Sequence, residues 1–257
     1  MGGLALPQAE VPREVLLLAR IRQKMADNLA RMPDYTCLET IERSTRRRSS
    51  LAYQLVDTVG VEVAHVGDKE LYSRPGGQKF EESDLATLIG SGMTASGDFA
   101  LHLRAIFGSN IPLFTYRGEE DLDGRRTVRY EYSVPQYLSG YRLRIARQEG
   151  IVAFSGSFWA DPETLEVVRL EVRAEEIPPH LPVLSAVTFI DYGSVQIGAS
   201  EAVLPRRAEL VMTELLGRQS LNRTEFTNCR QYVGESAVFF VDTKVTYEPP
   251  QEKKKKK

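Results

Sequence analysis

Histidine is scarce in this chain of 257 residues, with three in all: His65, His102 and His180. No His-Glu-x-x-His, no Gly-x-Ser-x-Gly and no phosphate-cradling Gly-Lys-Ser/Thr is present. The local signatures of zinc peptidases, α/β-hydrolases and P-loop enzymes are therefore missing. Gly90-Ser91-Gly92 reads as a hinge rather than as a phosphate loop. Cysteine is scarcer still, with only Cys37 and Cys229. Neither lies in a Cys-x-x-Cys pair, so structural zinc and thioredoxin chemistry are not indicated. The two thiols either bridge across a very long loop in an oxidising compartment or sit apart as small buried hydrophobes. Long apolar runs are also lacking. Val15-Leu16-Leu17-Leu18-Ala19 is cut off at once by Arg20 and Arg22, well short of the ~18 residues of a membrane span. The opening MGGLALPQAEVPRE shows neither a basic n-region nor an adequate h-region, so no signal peptide is visible in it.

Charge of one sign is missing as well. Thirty-three Lys+Arg against 35 Asp+Glu give a formal net charge of −2, which offers no concentrated cationic surface for nucleic acid. Two basic clusters exist, Arg46-Arg47-Arg48 and Lys253–Lys257, and the second reads as a solvated end. The acidic pairs Glu81-Glu82 and Glu119-Glu120 lie beside turns, where solvation explains them. Asn222-Arg223-Thr224 fits a glycosylation sequon, a pattern that often occurs by accident. No metal ligands, cofactor motif or catalytic set emerges, and the chain reads as non-enzymatic.

What is present is pattern. From Pro12 to Met32, Val15, Leu18, Ala19, Arg22, Met25, Ala26 and Leu29 recur at helical spacing, and Pro33 ends the helix. Strands are expected at Tyr35–Arg43, Leu51–Asp57, Val59–Val66 and Glu70–Ser73. Residues 80–108 change character: Ser83 caps a short helix to Ile89, and a second helix runs Gly97–Phe107. On that second helix Phe99, Leu103 and Ile106 share one apolar face.

After Pro112 the chain alternates with period two. Phe114–Gly118 and Arg126–Ser133 flank the hairpin turn signal Asp123-Gly124. Glu149-Gly150 is expected to turn the chain into a strand Ile151–Trp159, and Asp161-Pro162-Glu163-Thr164 to turn it into Leu165–Arg173. Val183–Asp191, Gly193–Ile197, Arg206–Leu216 and Ser220–Tyr232 follow, and Val238–Thr246 adds a further strand or an ordered tail. The sum is one α+β domain over residues 11–247, a large curved antiparallel sheet with an N-terminal helix and a short helical lid. Disorder is expected at residues 1–10 and 248–257.

The order of these elements carries a resemblance. LLLARIRQKMADNLARMPDYTCLETIER enters the sheet; VGDKELYSRPGG, SDLATLIG, SGDFALHLRAIFG, DGRRTVRYEYSV and the FWADPET strand pair follow. Over roughly residues 13–205 this resembles the LolA/LolB-type lipoprotein carriers and the N-terminal domain of the envelope-stress sensor RseB. The resemblance implies an unclosed half-barrel whose concave side is covered by helices and takes acyl chains. It also implies a periplasmic or secreted, non-catalytic envelope protein that binds lipid or lipoprotein acyl chains. The alternative on the same scaffold is a module that senses or assembles an envelope protein partner without lipid. The expected groove and lid residues are Phe99, Leu103, Ile106, Tyr130, Phe158 and Trp159.

Overall fold

A computed structural model describes residues 11–67, 69–77, 80, 85, 88, 93–95, 101–109, 112–145 and 148–232. The expected Val238–Thr246 strand, the two expected disordered ends and Phe99 lie outside the described residues. Helix α1 (Arg13–Arg31) follows Pro12 and stops before Pro33. Its buried face is Ile21, Met25 and Leu29, successive i, i+4 positions. Val15, expected on that face, is exposed, because the helix presents the 21/25/29 line and not the 15/19 line to the sheet.

The strands are β1 (Tyr35–Arg46), β2 (Gln54–Val66), β3 (Lys69–Ser73), β4 (Met93–Ala95), β5 (Leu113–Leu122) and β6 (Arg125–Val134). They continue as β7 (Arg142–Ile145), β8 (Gln148–Ile151), β9 (Ala153–Ala160) and β10 (Val167–Glu175). The last described strands are β11 (Val183–Ile197), β12 (Ser200–Glu214) and β13 (Gln219–Gln231). A short helix α2 (Leu101–Phe107) precedes β5. Among the described residues ten strands form one antiparallel sheet in the order β3-β2-β1-β13-β12-β11-β10-β9-β6-β5, and β4-β7-β8 form a second. Because β3 and β5 do not pair, the large sheet is an unclosed half-barrel, as the sequence predicts.

Four expectations are corrected. The two strands expected on either side of Thr58 are the single strand β2, and those on either side of Tyr192 are the single strand β11. Gly60 and Gly193 do not break them; at Asp191/Tyr192 the ladder shifts register instead. This shift sits opposite Pro205, whose missing N–H suits an irregular position. Glu149-Gly150 is not the turn into a long strand; both residues pair with β7, and buried Val152 separates β8 from β9. Finally, an unexpected strand, Met93–Ala95, follows Gly90-Ser91-Gly92 in the chain and pairs with Leu143–Ile145.

The remaining turns follow the sequence. Asp123 (φ 55°) and Gly124 (φ 85°) form the β5–β6 hairpin, the double positive-φ turn that Asp-Gly favours. At the β9–β10 turn Asp161 accepts the backbone N–H groups of Glu163 (2.8 Å) and Thr164 (3.1 Å) through its side chain.

Alternation then sorts the sheet into two faces. Tyr130, Phe158, Leu170, Ile190, Ala208 and Thr224 occupy one register line on the concave side, with Leu170 and Ile190 fully buried. The adjacent outer line reads Arg129, Trp159, Arg169, Asp191, Arg207 and Glu225. Ion pairs lace it, with Arg169 2.6 Å and Arg207 3.0 Å from Asp191, and at this exposure such pairs stabilise weakly. Gly156 lets Tyr132 reach across β9 and donate its hydroxyl to the Glu171 carbonyl at 2.7 Å.

The seam between the first and last sheet strands is covalent. Cys37 and Cys229 form a disulfide across β1 and β13, with Cα atoms 4.1 Å apart and a sequence separation of 192. A bulge brings them together: the ladder shifts between Thr36 and Leu38, and Asn228 adopts a left-handed conformation (φ 51°).

Candidate functional site

Helix α2 lies on the concave side against α1. Its residues His102, Leu103, Ile106 and Phe107 are buried, and Gly108 closes it by donating its N–H to the Arg104 carbonyl at 2.8 Å. A Cβ at Gly108 would stand 2.6 Å from that oxygen, so the close approach needs glycine. Arg22 of α1 donates to the Ser109 carbonyl at 3.2 Å, fixing the end of α2 to the middle of α1.

Beneath the two helices lies an aromatic floor. Phe107 meets Phe158 edge-on at 5.1 Å, Tyr130 stacks on Phe158 at 5.3 Å, and Phe114 meets Phe158 edge-on at 6.0 Å. Tyr130 also donates its hydroxyl to the Glu14 carbonyl at 2.7 Å, tying β6 to the first turn of α1. Burial, reinforced by Tyr116, pushes the Tyr130 hydroxyl up to about 12, so it stays a donor at every physiological pH.

An open groove of about 590 Å³ runs between the two helices. Ala26, Leu29 and Ala30 form one wall, and Leu101, Ala105 and Gly108 the other. The hollow exists because short side chains face each other at α-helical spacing, leaving a channel that leucines would fill. It continues past Ala26 and Gly108 into a smaller hollow of about 340 Å³ beside Ala19 and Ser109. Arg104 edges the groove and Arg22 its continuation. Arg104 donates to the Gly67 carbonyl at 3.2 Å, and the Arg22 guanidinium lies 5.3 Å from the Phe114 ring centre. The arrangement is an apolar slot with cationic margins.

Leu103, Ile106, Tyr130 and Phe158 are brought together on the concave side, where all four are buried. None of the four lines the groove between the helices. Trp159 is not among them: it follows Phe158 on β9 and so points to the outer face. There it donates to a Glu120 carboxylate oxygen, with Arg129 5.4 Å from its ring. The wall residues Ala26, Ala30, Ala105 and Gly108 were missed. The signal that marks them is small side chains at i, i+4 on α1 and i, i+3 on α2.

The groups that carry catalysis elsewhere are dispersed. His65 stacks on Tyr35 at 5.5 Å, His102 meets Tyr141 at 5.0 Å, and His180 lies 2.9 Å from the Glu149 carbonyl. Among the described residues no three His, Cys, Asp or Glu side chains converge as a metal site. Asn222 and Thr224 of the sequon are buried, which excludes a glycan in the folded state.

No family model and no curated protein matches the chain. Solved structures do. A DUF1329 family protein from Desulfovibrio piger is 12% identical over 85% of this chain and 94% of its own, with a TM-score of 0.42. A putative outer membrane lipoprotein-sorting protein domain from Vibrio parahaemolyticus is 9% identical over 84% and 94%, with a TM-score of 0.42. A LolA superfamily protein from Nitrosomonas europaea is 12% identical over 84% and 93%, with a TM-score of 0.38. At these identities and scores the likenesses speak to neither family, ligand nor partner.

Proposed function

We propose that this chain is a non-catalytic cell-envelope protein that holds a lipid or lipoprotein acyl chain in the groove between α1 and α2. The observation that carries the reading is the slot itself, about 590 Å³ walled by alanine, leucine and glycine and edged by Arg104. Its volume lies in the range of small-molecule sites. Its apolar walls suit methylene groups, and its cationic margins suit a carboxylate or phosphate at the chain's end. The Cys37–Cys229 bridge supports an oxidising compartment such as the periplasm. The dispersal of the histidines supports a binding role over catalysis.

The test is titration of the purified protein with a fluorescent fatty acid, paired with native mass spectrometry of the protein as isolated. Ala26→Trp and Ala105→Trp, which fill the slot, are expected to weaken the probe at least tenfold without unfolding the protein. If the unaltered protein neither carries lipid nor takes up the probe, the reading fails.

One observation favours the alternative of a partner-binding module. Among the described residues β3 covers only Glu62–Val66 of β2, so the edge from Gln54 to Val59 is unpaired on that side, with Leu55 and Val56 exposed. A strand from a partner fits such an edge. The opposite edge, β5, is guarded by a bulge at Gly118 (φ 112°) and by Arg117, Glu119, Glu120 and Asp121.

A further inference from the structure

The antiparallel order sends alternate turns to two rims of the half-barrel. One rim gathers the β1–β2 loop, the β12–β13 turn and the entrance to β11. Arg46 pairs with Gln219, and Val183 with Glu214. The Leu215 N–H reaches the Pro182 carbonyl at 3.2 Å. Arg48 packs its side chain along Gly217, whose φ of 80° suits no larger residue.

On these adjoining tips stand Leu51 and Leu216, 94% and 88% exposed, and Leu184 and Leu215, 64% and 60% exposed. Water around four leucines is unfavourable, and nothing in their own loops shields them. Arg47 and Arg48 are exposed beside them, and among the described residues neither has a carboxylate partner. Glu214, at the end of β12 on this rim, is already held 2.7 Å from Arg218. Glu175 and Glu176 stand farther along the rim, at the end of β10.

We infer that this rim is a docking surface for an anionic lipid bilayer, in which Leu51, Leu184, Leu215 and Leu216 enter the headgroup–acyl boundary while Arg47 and Arg48 meet lipid phosphates. Leucines spread over separate loop tips suit a fluid interface better than a shaped protein partner. Apolar tips with cations alongside are the combination that lipid surfaces select. The inference goes beyond acyl binding in the groove and does not depend on it.

Flotation of the full chain with vesicles of one part phosphatidylglycerol to three parts phosphatidylethanolamine tests it, with pure phosphatidylcholine vesicles in parallel. Binding to the anionic vesicles is expected, and Leu51→Ser with Leu216→Ser should lower partitioning about a hundredfold, roughly tenfold for each leucine. Arg47→Gln with Arg48→Gln should weaken binding to the anionic vesicles and leave the weak phosphatidylcholine binding unchanged. Because Lys253–Lys257 can itself attract anionic lipid, a variant with all five lysines replaced by glutamine is run alongside. Retained binding there, with loss in the leucine variant, supports the rim. Loss with the lysine replacements and none with the leucine replacements overturns it, as does absence of binding by the unaltered chain. Ala105→Trp should keep vesicle binding even where it loses the acyl probe, which separates this inference from the groove reading.

Discussion

At one rim of the half-barrel the turns are polar and interlocked. Arg125 of the β5–β6 turn binds Asp161 of the β9–β10 turn at 2.6 Å, Asp121 accepts the Gly124 N–H at 2.7 Å, and Arg169 reaches Asp123 at 3.2 Å. At the other rim Leu51, Leu113, Tyr137 and Leu216 are each more than three-quarters exposed. Both rims lie at the ends of the same strands, so strand geometry does not explain the difference. A polar turn fixes itself by local hydrogen bonds and needs no neighbour. An apolar tip gains nothing until something covers it. The contrast separates a rim that maintains the fold from a rim left over for another surface.

The largest expected effect lies at the polar rim, where the disulfide clamps the seam. Cys37→Ser with Cys229→Ser is expected to lower stability by about 5 kcal/mol, the chain-entropy value for so long a loop. Urea unfolding of oxidised and substituted protein measures it; equal midpoints would show that the seam is held by its ladder alone. Next comes the strip between the rims, where Gly156→Ala places a Cβ against the Glu171 carbonyl under the Tyr132 ring. A loss of about 3 kcal/mol is expected from the forced overlap, read as a fall in thermal midpoint.

Asp161→Asn should cost about 1–2 kcal/mol at neutral pH by weakening the charged hydrogen bonds. Burial works to raise the Asp161 carboxyl, but Arg125 and the Thr164 and Glu163 N–H groups outweigh it and hold the carboxyl below its usual value. Its contribution is therefore complete above the unfolded value near 4 and disappears as pH falls through the lower folded value. Stability of the unaltered chain should fall more steeply below pH 4 than that of Asp161→Asn, and parallel acid curves would remove Asp161 from the account. The smallest effect belongs to the other rim. Leu51→Ser and Leu216→Ser should shift stability by less than about 0.5 kcal/mol, measured by the same unfolding curves. A larger loss would mean that these leucines serve the fold.

The polar rim was legible in the sequence because its determinants are local. Asp123-Gly124 demands positive φ, and Asp161-Pro162 presets a turn, whatever the rest of the chain does. Strand lengths were harder: the breaks expected at Thr58 and Tyr192 do not occur, because Thr58 pairs with Glu42 of β1 and Tyr192 with Pro205 of β12. Trp159 shows a different failure. Its bulk suggested a role in the groove, but adjacency to Phe158 on a strand forbids both from facing one side. The groove walls went unseen because space is made by what alanine and glycine lack. The apolar rim was hidden for a topological reason: Leu51, Leu184 and Leu216 are scattered through the sequence, and only strand order makes them neighbours.

That same strand order makes synthesis from the ribosome a problem of waiting. β1 is among the first segments to emerge, but its second neighbour is β13, the last described strand of the sheet. Until that strand is translated, a nascent chain carries the long hairpin of β1 and β2 with one backbone ladder bare, an invitation to foreign strands. Contacts so distant along the chain also slow closure. The protein should therefore depend on holding factors during synthesis more than one whose neighbouring strands follow one another, and truncation anywhere before β13 should yield aggregates rather than a smaller domain.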